Sequence, residues 1–480
     1  MRLRMVFSYL LLVFVPLAGT VAVLRYGSDM QSSAALRIAP TAVPPLAQAN
    51  LKLSVLLLQV LIIVVASRAV GALLRRFKQP QVIGEMLAGI LLGQSFLGTI
   101  APGVYDILFP TGSLRFLNAL SQIGLLLFMF LVGLELDPKL LRGRGETALL
   151  TSHTSIAAPI FLGTSLALFL YPRLSDGGAS FIAFALFLGA AMSVTAFPVL
   201  ARILSEKQLH KTHLGSVVIA CAAVDDVTAW CMLAVVVAIA RAGSATMPLW
   251  ATIGGAMLFA AFVLGVMKPA LGWLYNRFTS RGTLSFQDLI AMVLAVVLAC
   301  AWTTERLGVH ALFGAFLAGT AMPKDPVFVK GVVRRFEDVM VTLLLPLFFA
   351  YTGLRMNIGL LAGAGSWLVC LLVIGTAIAG KFGGSAIAAR VTGLSWQQAW
   401  MVGALMNTRG LMELVILNVG LDLGVISRTL FTMMVLMALV TTFMTTPLLE
   451  YFGVSSMRQQ GDDPASPLGT DSERSVLAHD

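Results

Sequence analysis

The chain has 480 residues, 58% of them apolar and only 12% charged, with a mean hydropathy of +0.89. Soluble domains do not combine so few charges with so much apolar content, so a soluble enzyme is excluded. The net charge of +10 is not a nucleic-acid footprint either, because the basic residues sit in short clusters between apolar runs, where membrane topology places them.

The first apolar run, 6–24, follows the basic start Met1-Arg2-Leu3-Arg4. That pattern fits a signal peptide or an added span, and the lack of a small-x-small cleavage site favours a span. Residues 1–50 are therefore read as a hydrophobic segment and an outer linker. Residues 51–452 then hold thirteen main apolar runs, at 51–74, 79–99, 115–135, 147–171, 179–204, 213–240, 248–273, 286–305, 307–323, 339–355, 366–390, 397–421 and 428–452. Each is read as crossing a bilayer core about 30 Å thick. The expected fold is all-α and polytopic.

Loop charge sets the orientation. If residue 51 starts outside, the inner loops are Arg75 to Lys78, Lys139 to Arg144, Arg202 to Lys211, Lys268 to Arg281 and Lys324 to Arg335, each with at least three Lys or Arg. Outer loops carry isolated ones, such as Arg173, Arg241, Arg306 and Arg355. The alternation holds through all thirteen runs. It places residues 453–480, a polar tail expected to be disordered, in the cytoplasm.

Two runs conflict with a continuous helix. In 179–204, Pro198 stands mid-run in Met192-Ser193-Val194-Thr195-Ala196-Phe197-Pro198, where proline removes a donor and clashes with the preceding turn. In 397–421 the stretch Asn407-Thr408-Arg409-Gly410 is polar where a lipid-facing helix is apolar. Irregular backbone at membrane depth survives only against protein or a watery cavity. These are the fifth and twelfth runs, so an offset of seven makes them cross in opposite directions. Paired interruptions in inverted repeats point to a transporter's midplane ion site.

The neighbouring sixth and eleventh runs carry charges at depth: Asp225 and Asp226, and Lys381. A charge at the bilayer centre costs about 2.5–3.5 kcal/mol on insertion scales. Adjacent helical residues point about 100° apart, so one aspartate is expected to pair with Lys381 while the other faces a cavity. A carboxylate that holds either a proton or a dehydrated monovalent cation supplies the chemistry of cation/proton exchange. Ser193, Thr195, Asn407 and Thr408, with carbonyls freed at the breaks, are candidate oxygen ligands. Arg409 and Glu413, four apart, are a candidate local pair. Glu85 is expected in an inner-face salt bridge near Arg75 and Arg76, Glu135 and Asp137 at headgroup level, and His310 in a local hydrogen bond near the outer surface.

Cys221, Cys231, Cys300 and Cys370 lie inside apolar runs without metal-ligand spacing and read as small core residues. No G-x-G-x-x-G follows a strand-like run and no P-loop is present, so no nucleotide cofactor and no ATP-driven pump is expected. The alternatives are a cation channel or uniporter, against which stands the lack of a repeated carbonyl filter, and an intramembrane aspartyl protease. Protease chemistry needs two carboxylates facing each other across a gap, which neighbours on one helix do not supply.

Six stretches resemble the monovalent cation:proton antiporters, in the bacterial branch near the plant cation/H⁺ exchangers. They are Gln79-Pro80-Gln81-Val82-Ile83-Gly84-Glu85, residues Leu127 to Leu136, Met192 to Pro198, Val224-Asp225-Asp226, residues Gly314 to Gly319, and Asn407 to Leu414. Together they span roughly residues 50–450. The resemblance implies a homodimer in the cell's inner membrane, with a dimerisation domain beside a core domain that moves past it. It implies further that Asp226 is the ion- and proton-carrying carboxylate and that Asp225 is the partner of Lys381. Two adjacent aspartates with a lysine are similar to the electrogenic members. Many relatives also carry a large cytosolic regulatory domain, and this sequence has only the short tail after the last run.

Overall fold

With no water in a bilayer core to satisfy peptide groups, a chain this apolar must bond its backbone internally. A computed structural model describes residues 7–30, 53–77, 79, 81–110, 112–135, 146–175, 179–207, 209, 212–241, 249–281 and 285–453. Among these every regular element is helical. The expected disordered tail, Asp137 and the Lys139–Arg144 loop lie outside the described residues.

In chain order the helices are α1 (Phe7–Gly27), α2 (Leu53–Arg75), α3 (Gln81–Leu92), α4 (Leu114–Glu135), α5 (Glu146–Leu174), α6 (Phe181–Ser193), α7 (Phe197–Glu206), α8 (His213–Arg241) and α9 (Trp250–Arg277). They continue as α10 (Phe286–Arg306), α11 (Ala311–Ala321), α12 (Pro326–Leu361), α13 (Ala364–Val391), α14 (Trp396–Met406), α15 (Leu411–Asp422) and α16 (Arg428–Tyr451). Among the described residues eleven helices can cross a membrane by length and composition, with Gln81–Ile100 counted as one, or twelve with the pair α14–α15, bent by 43°, taken as one span. This is a multi-pass membrane protein.

Three expected spans differ from simple crossings, the twelfth being the bent pair α14–α15. The fifth is interrupted into α6 and α7, as its sequence predicts. The ninth, expected over 307–323, is the short α11. Its flanks are spent on a turn at Gly308 (φ 81°) and on His310, whose Nδ1 accepts from the Leu312 amide as the N-cap. The local hydrogen bond expected of His310 is therefore present. Glu85 is buried and accepts from Gln81 Nε2 at 2.9 Å.

The helices pack as two sets. In one, α3 lies between α2 and α12, and α4 between α11 and α12, with α10 against α11. In the other, α5 packs on α6, α8 and α13, α14 packs on α13, α8 and α16, and α15 packs on α16 and α6. Helix α9 packs on α11 of the first set and touches α8 of the second; the sets also meet where α12 touches α15 and α16 and where α3 touches α16, and α1 lies on α5.

The α4–α11 crossing shows why two of the sequence stretches contain glycine where they do. A Cβ on Gly133 would run into the Phe316 carbonyl, and one on Gly319 into the Phe130 carbonyl and the Leu134 amide. Lys324 closes this crossing: its ammonium donates to the end carbonyls of α4, Gly133 (2.9 Å) and Leu134 (2.5 Å).

Candidate functional site

The two interruptions meet at mid-depth of the second set. Helix α6 stops at Ser193 and α7 starts at Phe197, with Val194 extended between them. Pro198 thus sits in the first turn of α7, where a missing N–H costs no intrahelical bond. The break precedes the proline instead of kinking around it. The second break, Asn407 to Gly410, separates α14 from α15. One backbone bond joins the breaks directly, from the Ala196 amide to the Thr408 carbonyl at 3.0 Å.

A helix end leaves its last carbonyls without partners and carries a partial negative charge. At the end of α6 these carbonyls are met by two cations. Arg409 NH1 donates to Ala191 O at 2.7 Å and NH2 to Met192 O at 2.6 Å. Lys381 donates to Ser193 O, and also to Ser155 O on α5 at 3.0 Å. Lys381 lies in a π-helical turn, Ala379–Gly383, inside α13. Such turns are rare and occur frequently at functional sites.

Both aspartates of α8 are buried, and their surroundings differ sharply. Asp225 forms a 2.5 Å ion pair with Lys381 and accepts from the Ser152 and Ser155 hydroxyls of α5, at 3.2 Å and 2.9–3.0 Å. The Thr195 hydroxyl stands 3.0 Å from Asp225 Oδ2 and equally 3.0 Å from the Met406 carbonyl, tying both breaks to this carboxylate. Asp226 is 3% exposed, and its Oδ1 has no hydrogen-bond donor among the described residues. It faces the backbone N–H of Phe197, the first residue of α7. One carboxylate is fully engaged and its neighbour is left open.

A family model described as sodium/hydrogen exchanger, transmembrane, matches residues 60–451. The chain belongs to that family. Among its relatives are the Na(+)/H(+) antiporter NhaS4 of Synechocystis sp., 44% identical over 398 residues, covering 83% of this chain and 97% of that protein. Cation/H(+) antiporter 17 of Arabidopsis thaliana is 41% identical over 83% of this chain and 48% of its own length. K(+)/H(+) antiporter 1 of Saccharomyces cerevisiae is 34% identical over 88% of this chain and 50% of its own. The chain thus spans about half the length of the plant and yeast proteins. The fold matches that of the sodium proton antiporter MjNhaP1 from Methanocaldococcus jannaschii, with a TM-score of 0.58 at 16% identity, covering 85% of this chain and 98% of that one.

Within this exchanger core the expected site residues take unequal places. Asp225 and Lys381 pair, and Thr195 joins them. The Ser193 hydroxyl turns back to Ala190 O (2.8 Å), so the residue meets Lys381 through its carbonyl instead. The Thr408 hydroxyl lies 3.3 Å from that of Thr445, and Asn407 Nδ2 points at Met444 Sδ. Among the described hydrogen bonds none of these four residues reaches Asp226. Arg409 and Glu413 are 3.4 Å apart, both fully buried, as their spacing predicts.

The sequence did not single out Ser152 and Ser155, or Thr442, whose hydroxyl accepts from the Arg409 amide at 3.1 Å and stands 2.7 Å from the Arg409 carbonyl. A cluster of Ser and Thr at Thr151 to Ser155 and another at Thr441 to Thr446 were the available signals. Hydroxyls inside spans more often bond their own helix, so the clusters alone did not distinguish these roles.

Proposed function

We propose that this chain is a secondary antiporter exchanging protons for Na⁺ or K⁺, with both competing for Asp226. The observation that carries the proposal is the division between the aspartates: Asp225 is held by four side chains, whereas Asp226 keeps a buried oxygen open beside the first amide of α7. Charge balance supports the same reading. With Glu413 ionised, Lys381 with Asp225 and Arg409 with Glu413 are two pairs, so ionised Asp226 leaves one negative charge, which one proton or one monovalent cation neutralises. Binding either one removes the reason for the other to stay.

The family and the activities for which its relatives are named, Na⁺/H⁺ and K⁺/H⁺ antiport, support this exchange. We read the second helix set as the core that carries Asp226 from side to side, and the first set as the dimerisation domain of a homodimer in the cell's inner membrane. The C-terminus is then cytoplasmic, and electrogenic exchange requires a further proton besides the one that competes at Asp226.

The test is reconstitution in proteoliposomes with an imposed pH gradient and added Na⁺, K⁺, Li⁺ or Rb⁺. Cation-dependent proton flux is expected from the unaltered protein and its loss from Asp226→Asn. Full flux in that variant would overturn the assignment.

A further inference from the structure

Glu413 sits in the first turn of α15, with its side chain wholly buried. Among the described residues neither of its carboxylate oxygens has a donor in good hydrogen-bond geometry, Arg409 being near but poorly aligned. Its partner Arg409 stands 3.4 Å away, beyond the roughly 2.7–2.9 Å of a charge-assisted bond. The reason lies in the guanidinium fork: both terminal nitrogens are aimed at Ala191 O and Met192 O on α6. Arg409 therefore bonds the end of one broken helix while its own Nε stays without a partner among the described residues.

Few charged groups face Glu413. Arg409 approaches from the break and Lys381 from the π turn of α13. Helix α6 contains no charged residue. Those of α16, Arg428 and Glu450, lie at its two ends. From α12, Arg355 is committed further along α15, to Asn418 and Asp422.

A buried carboxylate without donors is stable as the acid, whereas the ionised form needs a closely bonded cation. The orientation of one guanidinium thus decides whether Glu413 has a closely bonded cation. We propose that Glu413 is a second proton-exchanging carboxylate of the core. It takes up a proton while Arg409 caps α6 and releases it when Arg409 turns to Glu413. The carboxylate gains one proton to become the acid and loses it again; Arg409 stays charged throughout. The proton is then coupled to the relative position of the two broken helices, in addition to the one competing at Asp226. This rests on the exchange function proposed above.

The experiment is the reversal potential of cation-dependent proton flux in proteoliposomes, for unaltered protein and for Glu413→Gln, which mimics the acid permanently. Glu413→Gln is expected to move one proton fewer per cation, shifting the zero-flux condition. An unchanged ratio, at any rate of turnover, would overturn the inference. Absence of exchange in the unaltered protein would instead overturn the antiporter function itself. If Glu413→Gln does not fold, the same question goes to isotope-edited infrared spectra of Glu85→Gln protein carrying ¹³C-labelled glutamate. A protonated glutamic acid band that disappears as pH rises is expected, and lack of such a band would equally overturn it.

Discussion

At the scale of residues, two neighbouring carboxylates on α8 differ in what reaches them. Asp225 is the acceptor for an ammonium and three hydroxyls. Asp225→Asn would leave the Lys381 ammonium buried against a neutral amide, and breaking a buried pair costs about 3–5 kcal/mol. Asp226→Asn removes a carboxylate whose Oδ1 already lacks a donor, so little stability is lost. Thermal unfolding in detergent should therefore show a large drop for Asp225→Asn and almost none for Asp226→Asn, while exchange in vesicles is lost in the second. Equal destabilisation by both would contradict the division. The pairing of one aspartate with Lys381 was legible because three charges at depth in neighbouring runs are too costly to leave unpaired. The Ser152 and Ser155 contacts were not, since a serine in a span has many possible acceptors and only the α5–α8 packing selects among them.

At the scale of elements, the breaks were legible in Pro198 and in Asn407-Thr408-Arg409-Gly410, yet the physical detail differs from the sequence reading. Proline does not bend a continuing helix; it opens a new one, and the chain crosses in extended form before it. The end of α6 is finished by cations from two other elements, which no local pattern records. The π turn that carries Lys381 is equally silent in sequence. The α4–α11 crossing, in contrast, is encoded by Gly133 and Gly319, whose missing Cβ atoms admit the opposing backbone. Gly319→Ala must push α11 away from the Phe130 carbonyl and the Leu134 amide. Backbone shifts of this kind cost typically about 1–3 kcal/mol, so melting in detergent should fall by several degrees. Since the crossing belongs to the first helix set, cation affinity per folded molecule should stay unchanged. A weakened affinity with normal melting would show that the crossing acts on the site instead.

At the scale of the whole molecule, the proposed alternating access requires the two helix sets to move against each other across the contacts that join them, most of them apolar. One of these is polar and lies at the predicted outer end. Arg355 of α12 donates to Asn418 Oδ1 at 2.9 Å and to Asp422 Oδ1 at 2.6 Å, both on α15, and Asn418 Nδ2 donates back to Thr352 Oγ1 at 2.8 Å. Arg355 and Asp422 are partly exposed, so the ion pair itself contributes about 1 kcal/mol or less. That is weak enough to open in each cycle and directional enough to define a closed position. Fixing the two residues should therefore stop exchange without touching Asp226. With Cys221, Cys231, Cys300 and Cys370 replaced, Arg355→Cys with Asp422→Cys and a short reducible thiol crosslinker should abolish cation-dependent proton flux, and reductant should restore it. The uncrosslinked double variant should still exchange, since a contact of this size sets the balance of positions and not the chemistry. Undiminished flux in fully crosslinked protein would mean that α12 and α15 stay together through the cycle, and that the moving boundary lies elsewhere in the bundle.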